Sequence, residues 1–406
     1  MSIKPIKYAI LSCAHGHATQ YIEWNNSPLY ELVGVTQAAN YQGDHLSGGL
    51  PKDVPIYRSE EALYAAHPDL EAVVIGSENS EHARQTIDAA NRGLHTISMK
   101  VPTLDMDEYR AMMEAVERNH VICMVELEMH RYAGPARVLD LIKSGAIGEL
   151  QSINIVNYSI HPVWWNPWVG VPEKSYGKAI QLKPNDYRFR GGALTDHAHP
   201  MDLVRLMAGA DFDTVYANVS PNIREGVVVE EMIHMIGRMK NGVTFSIDPS
   251  FANDEHHVSV IRDGITWRKY PKTVEVFMSA VGTKGTIVGD IYNKNTYVQN
   301  GLNGEYQCMF EAHKIQGLWP SIETDFYQYV RGEKKELESL RYHMNSMQAV
   351  VAAYESVYSG KAVKVDNIKG EKIWQSNILA SATTASITSS TRSGIFRRCW
   401  STAAIP

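Results

Sequence analysis

Long apolar runs are missing from this sequence. No stretch approaches the roughly 18 consecutive apolar residues of a membrane-spanning helix, so no membrane partner is expected. The apolar run near the N-terminus, Tyr8 to Leu11, is too short for a signal-peptide core, and the expected location is cytoplasmic. Cysteine is scarce. Cys13, Cys123, Cys308 and Cys399 lie far apart without metal-ligand spacing, which favours reduced thiols over disulfides or a bound metal. Positive charge is not in excess: 39 Lys and Arg face 45 Asp and Glu, a formal net charge of −6, and no basic field is available for nucleic acid. Internal repeats are absent too.

What remains is the composition of a soluble globular chain, 44% hydrophobic and 21% charged, with 406 residues enough for two domains. The first 128 residues alternate between strand and helix. Tyr8 to Leu11, Tyr30 to Val35, Ala72 to Gly76, His95 to Met99 and Val121 to Val125 read as short buried strands. Helical stretches separate them, one capped by Ser59 with Glu60 and Glu61 in its first turn, another starting at Asp105. This rhythm specifies a doubly wound parallel sheet of the Rossmann type, whose ligands bind at the carboxyl ends of the strands. Ser12, Gln37, Ser77, Asn79 and Lys100 then share one edge.

The loop after the first strand, Ser12-Cys-Ala-His-Gly-His17, stands where a dinucleotide-binding unit carries GxGxxG. Ser12, Ala14 and His17 occupy the glycine positions. The first two are small enough for close approach of a pyrophosphate, whereas His17 fits poorly. After the second strand, Thr36-Gln37-Ala-Ala-Asn40 holds neither the acid that grips a ribose 2′-hydroxyl nor a cation for a 2′-phosphate. Gln37 is the candidate for the ribose, and the missing cation points to NAD rather than NADP.

From Gln151 the rhythm changes. Strand-like runs at Ser152–Tyr158, Val215–Val219, Ile233–Met239, Val243–Ile247 and Val274–Met278 follow one another with one helix between them, starting at Pro200. The second domain, residues 129–370, is therefore expected to be α+β with a large, mostly antiparallel sheet. Its Trp-rich segment His161-Pro-Val-Trp-Trp-Asn-Pro-Trp168 suits stacking on a sugar ring, and Trp165 is a candidate substrate contact. Arg188 and Arg190 are candidates for a substrate hydroxyl or carboxylate. An amphipathic helix spans 343–359, and residues 371–406 form a Ser/Thr/Ala-rich, low-complexity tail.

The chain is organised around Gly191 to Gly209. Two glycines open this stretch and Pro200 starts a helix that Gly209 ends. Asp196, His197 and His199 lie on the turn feeding that helix, with His199 biased out of the helical region by the proline after it. Two imidazoles and a carboxylate within four residues form a group able to move protons near neutral pH.

Taken together, residues 5 to 366 resemble the glucose–fructose oxidoreductase, inositol dehydrogenase and rhizopine-catabolism dehydrogenase family (Gfo/Idh/MocA). Glu71 to His82 is similar to its fourth strand and Asn…His loop, and His95 to Pro102 stands at its Glu-Lys-Pro motif. Arg131-Tyr132 and Ser144-Gly-Ala-Ile-Gly148 match its linking helix, Gly191 to Gly209 its Gly-Gly…Asp…His…Asp-Leu block, and Gly282–Gly285 and Ala353–Ser356 later landmarks.

The resemblance implies a nicotinamide cofactor, NAD with NADP left open, a carbohydrate-like small-molecule substrate and a homo-oligomer, dimer or tetramer. It implies cofactor contacts from Ser12, Ala14, His15, His17, Gln37, Ser77, Asn79, His82 and Lys100. Lys100 matches the motif lysine that touches cofactor and substrate, His199 the proton acceptor, and Asp196 the aspartate that orients it; His197 joins the substrate residues. The sequence departs from the family in its glycine loop, in Met99 and Val101 flanking Lys100, and in one residue missing between Asp196 and His199. That deletion leaves either His197 or His199 as the base. The implied function is an NAD(P)-dependent sugar or polyol dehydrogenase. Three other readings stand beside it: a glycoside-cleaving enzyme with retained NAD, a non-catalytic dinucleotide-binding regulator, and a zinc hydrolase using Asp196, His197 and His199.

Overall fold

The computed structural model describes residues 3–36, 50–103, 105–160, 191–222, 229–253, 261–262, 265–266, 274–290, 296–300, 318–335 and 339–365. Gln37, Trp165 and its neighbouring tryptophans, Arg188, Arg190 and the tail from 371 lie outside the described residues.

Six parallel strands form the first sheet: β1 (Ile6–Leu11), β2 (Tyr30–Thr36), β3 (Ile56–Tyr57), β4 (Ala72–Ile75), β5 (His95–Ser98) and β6 (Cys123–Val125), in the order β3-β2-β1-β4-β5-β6. Strands β4 and β6 are buried along their whole length, as expected of strands covered on both faces. A 3-10 helix (Gly16–Asn26) and the α-helices α1 (Glu60–Ala66), α2 (Asn79–Asn91) and α3 (Met106–Arg118) make the crossovers. Two side chains start helices as the sequence suggested. Ser59 accepts from the N–H of Ala62, and Asp105 accepts from those of Asp107 and Glu108, caps worth about 1 kcal/mol each.

A 3-10 turn (Glu128–Arg131) and α4 (Ala133–Lys143) lead to the second sheet. Its strands are β7 (Leu150–Ile160), β8 (Phe212–Val219), β9 (Ile233–Met239), β10 (Thr244–Asn253), β13 (Val274–Gly282), β14 (Gly285–Asp290), β15 (Thr296–Asn300) and β16 (Val363–Lys364). The short strands β11 (Ile261–Arg262) and β12 (Ile265–Thr266) pair only with each other. The order is β15-β14-β13-β7-β10-β9-β8-β16. The antiparallel expectation holds except at the centre, where β7 and β10 run parallel. Between those two strands the chain passes through α5 (Ala193–Asp196), α6 (His199–Ala208), β8 and β9, a connection long enough for a crossover.

The last two helices join the halves. In α7 (Leu318–Val330), Ile322, Phe326 and Tyr329 pack into the same apolar cluster as Tyr8 of β1 and Tyr21 and Trp24 of the 3-10 helix. The first sheet's core is thus completed by residues far beyond 128. Helix α8 (Leu340–Ser359) lies against β8, α3 and α6, and Tyr109 of α3 donates to the carbonyl of Leu340 at 2.7 Å. Among the described residues no helix is long and apolar enough to cross a membrane.

Candidate active site

The loop after β1 is built from small residues in close contact. Ser12 takes φ +66, a left-handed conformation that costs a residue with a side chain about 1–2 kcal/mol, and one that glycine adopts freely. Two hydrogen bonds hold it there. Its N–H donates to Thr36 Oγ1 at 3.0 Å, and its own Oγ accepts from the N–H of Ala14 at 3.1 Å. Across from it, Gly76 allows no side chain, since a Cβ would meet Ala18 and the carbonyl of Ser12. His15 donates its N–H to the Gly76 carbonyl and caps the 3-10 helix by accepting from the His17 N–H at 3.2 Å. A loop this tight, ending at a helix start, fits a dinucleotide's phosphates as the glycine-rich form does.

At the third glycine position, His17 lies in the first turn of the 3-10 helix that Gly16 begins, and its side chain reaches Glu126, with Nδ1 3.2 Å from Oε2. An imidazole there would clash with a packed helix; here it turns outward, half-buried, to a carboxylate. Burial works against its charged form, but Glu126 and Glu128 outweigh that and raise its pKa above the usual value.

Of the other cofactor candidates, Ser77 donates to Gln85 Oε1 at 2.5 Å, and Asn79 opens α2 with a buried, unpartnered Oδ1. His82 is fully buried, with Nδ1 2.8 Å from the Val101 carbonyl and Nε2 3.0 Å from that of Ser77. Burial holds the ring's pKa down, so it is neutral and donates to one of these carbonyls at a time. It ties the β4 and β5 loops together, with both nitrogens spent on backbone.

Lys100, 7% exposed, follows the end of β5 and meets the last residue of α5. Its Nζ lies 2.8 Å from Asp196 Oδ1 and also donates to the Asp196 carbonyl oxygen. Burial opposes the ionised form of Asp196, yet Lys100 and His197 together bring its pKa down to about 2. The Asp196 carboxylate is therefore spent on Lys100, and its expected task of orienting His199 gives way to holding the lysine. His197, beside it, has Nε2 2.5 Å from Ser159 Oγ on β7 and 3.7 Å from Asp196 Oδ2, and burial pushes its pKa down to about 4.

His199 was expected outside the helix and is its first residue. The chain is already turning when it reaches the proline, because α5 ends at Asp196 and Ala198 is in the right-handed region at φ −71, ψ −15. The ring is 3% exposed, its Nδ1 is buried without a partner, and burial with Lys100 and His17 nearby holds its pKa well below 6.5. One turn on, Asp202 anchors the helix start between His130 Nδ1 and His343 Nδ1, both 3.2 Å away.

Four acceptors near this site carry no motif. Glu126 and Glu128 follow β6 on the edge that delivers Lys100, a placement the strand pattern could have flagged. Glu230 lies beneath α5, where its Oε1 accepts from the N–H of Leu194 at 3.1 Å and from Tyr354 at 2.5 Å. Burial pushes its carboxyl up to about 7. Only the fold brings Glu230 and Ser159 to Gly191–Gly209. Among the described residues no group of three or more His, Cys, Asp or Glu is arranged to hold a metal ion.

A doubly wound sheet with a lysine at its ligand edge, bonded to an aspartate on a turn that also carries two histidines, marks the class of nucleotide-dependent oxidoreductases. Residues 6–127 match the oxidoreductase family with an NAD-binding Rossmann fold, and residues 136–288 match the GFO/IDH/MocA C-terminal domain. The chain belongs to the Gfo/Idh/MocA family, and its first sheet is an NAD-binding domain.

Levoglucosan dehydrogenase of Pseudarthrobacter phenanthrenivorans is 28% identical over 181 residues, 43% of this chain and 42% of that protein. This match thus spans less than half of the relative's length. Myo-inositol 2-dehydrogenase of Thermotoga maritima is 22% identical over 75% of this chain and 82% of its own. The same fold is seen in an oxidoreductase from Agrobacterium radiobacter in complex with NAD+, L-tartaric acid and magnesium, with TM-score 0.70, 18% identity, and 89% of this chain and 99% of that one covered.

Proposed function

We propose that this protein is an NAD-dependent dehydrogenase that oxidises a ring hydroxyl of a sugar, polyol or glycoside. The observation that carries this reading is the meeting of Lys100 with the Asp196–His199 segment at the carboxyl edge of an NAD-binding sheet. The two relatives named for levoglucosan and myo-inositol support the substrate class.

Ser12, Ala14, His15 and Gly76 would hold the dinucleotide's phosphates. The bound nicotinamide supplies the acceptor for the hydride. Lys100, kept in place by Asp196, donates from Nζ to the substrate oxygen and lowers the cost of its developing negative charge. His199, neutral at pH 7, takes the hydroxyl proton at Nε2, since Nδ1 is sealed in the interior. His197 is the weaker candidate for the base because Ser159 occupies its Nε2. The reading extends to a homo-oligomer, since Ile236, Val281 and Val288 leave apolar side chains exposed on the second sheet.

The test is to incubate purified protein and NAD with a panel of cyclic polyols, aldoses and anhydrosugars while following nicotinamide absorbance. Reduction with at least one cyclic hydroxyl compound is expected. If nucleotide binds but no member of the panel is oxidised, the dehydrogenase reading is wrong.

A further inference from the structure

The segment Glu126-Leu-Glu128 leaves β6 beside the strand that delivers Lys100, and the N–H of Glu126 donates to the Ser98 carbonyl at 2.9 Å. Glu126 is 1% exposed and already engaged: His17 Nδ1 lies 3.2 Å from Oε2, and Tyr21 OH donates to Oε1 at 3.2 Å. Glu128 differs. It is 4% exposed, and its Oε2 is buried with no hydrogen-bond partner. Three ionisable groups act on it, and a fourth, Tyr21 of the 3-10 helix, feels its charge. Glu126 comes from the end of β6, His17 from the 3-10 helix and Lys100 from the end of β5, with Asp196 of α5 bonded to Lys100. The two basic side chains are committed elsewhere, Lys100 to Asp196 and His17 to Glu126.

A buried carboxylate oxygen without a partner is costly to keep, and it favours the arrival of positive charge. In a dinucleotide-dependent dehydrogenase the oxidised nicotinamide ring is cationic and the reduced ring is neutral. That ring must come near Lys100, because the hydride and the proton leave neighbouring atoms of the substrate. We propose that Glu128, backed by Glu126, is the anionic contact of the oxidised nicotinamide ring, so that the site holds NAD+ in preference to NADH. The proposal rests on the dehydrogenase reading above and names a cofactor-selecting residue within it.

The electrostatics agree. Burial, then Glu126, pushes the Glu128 carboxyl up to about 7, with His17 and Lys100 pulling the other way. Near neutral pH the group is part protonated. A cation arriving beside it favours the ionised form, so NAD+ binding expels a proton from Glu128 to the buffer. NADH, neutral at the ring, expels none.

The test is isothermal titration of the full chain with NAD+ and with NADH at pH 7, in two buffers of different ionisation enthalpy, for wild type and Glu128→Gln. In the wild type a fraction of a proton is expected to be released with NAD+ and none with NADH. In Glu128→Gln the release disappears, and NAD+ affinity falls about tenfold, one pKa unit's worth, with NADH affinity little changed. Equal loss of affinity for both nucleotides, or undiminished proton release from the variant, overturns the proposal. A second measurement needs no variant: the wild-type ratio of Kd for NAD+ to Kd for NADH should fall from pH 6 to pH 8, and a flat ratio overturns the proposal as well. Failure of either nucleotide to bind at any pH would sink the dinucleotide reading and this one with it, whereas tight binding of both without discrimination removes this one alone.

Discussion

The Lys100 ammonium lies 2.8 Å from the Asp196 carboxylate, although 96 positions separate them in sequence and one follows a strand of the first sheet while the other ends helix α5. Both side chains are largely buried, 8% and 13% exposed, so the pair is a joint between the carboxyl edge of the first sheet and the turn that carries His197 and His199. Removing one partner of a buried pair leaves an uncompensated charge at a cost of about 3–5 kcal/mol. The joint therefore bears on stability and on catalysis together.

Lys100→Met and His199→Ala are each expected to lower turnover by about 100-fold or more, with NAD affinity changed far less. The double variant should lose less than the product of the single losses, because the two side chains serve one hydroxyl. His197→Ala is the internal control. Steady-state kinetics of the four proteins decides the matter. If His197→Ala abolishes turnover and His199→Ala spares it, the base has been misassigned.

Two kinds of buried group pull in opposite directions as pH falls below 7: Glu128 and Glu230, raised to about 7, take up protons in the folded chain first and add stability, whereas His197 removes it. His197 has a folded pKa of about 4 against 6.5 in the unfolded chain, so below 6.5 the unfolded chain takes up a proton that the folded protein refuses. Stability then falls as pH drops from 6.5 to about 4, by up to about 3 kcal/mol from this group. His199 acts in the same direction. Asp196, with its pKa lowered to about 2, adds stability that is complete above 3.8 and lost only as pH falls through 2, outside this window. Between pH 6.5 and 4.5 the urea midpoint of the wild type should lose ground steadily relative to that of His197→Gln, in which Glu128 and Glu230 act alike; parallel curves would contradict the account.

Gly192→Ala should damage the site without touching a catalytic side chain. A Cβ there would run into the backbone carbonyl of Glu230 and its Oε2, and a backbone obstacle cannot swing aside. The turn of α5 must then shift, and Asp196 with it. A stability loss of about 1–3 kcal/mol is expected, together with a larger fall in turnover than Gly209→Ala gives, since a Cβ at Gly209 meets nothing within 4 Å and costs only the backbone strain of φ +62 at the far end of α6. Thermal melts and kinetics on the two variants provide the comparison.

NAD(H) should bind more tightly than NADP(H). The residues directly after β2, Gln37 to Asn40, include no Arg or Lys to meet a 2′-phosphate. Protein fluorescence titration with the four nucleotides tests this, and tighter NADP(H) binding would refute it.

What the sequence determined was everything governed by neighbours in the chain. Short apolar strands separated by capped helices sufficed for the parallel sheet, and the loss of that rhythm at Gln151 marked the second one. Lys100 at the end of a strand, and the Asp-His-x-His turn before Pro200, were visible for the same reason. Local rules also misled: the proline bias placed His199 outside a helix that it begins, because the incoming turn at Ala198 outweighs it.

Only the tertiary structure decided which groups spend their charge on one another. Asp196 turns to Lys100 and His197 rather than to His199, Ser159 occupies His197 and leaves His199 the freer ring, and the His17 side chain reaches Glu126. Those choices depend on which buried ions lie within a few ångströms and which have lost their water, and neither quantity exists until distant strands are packed together.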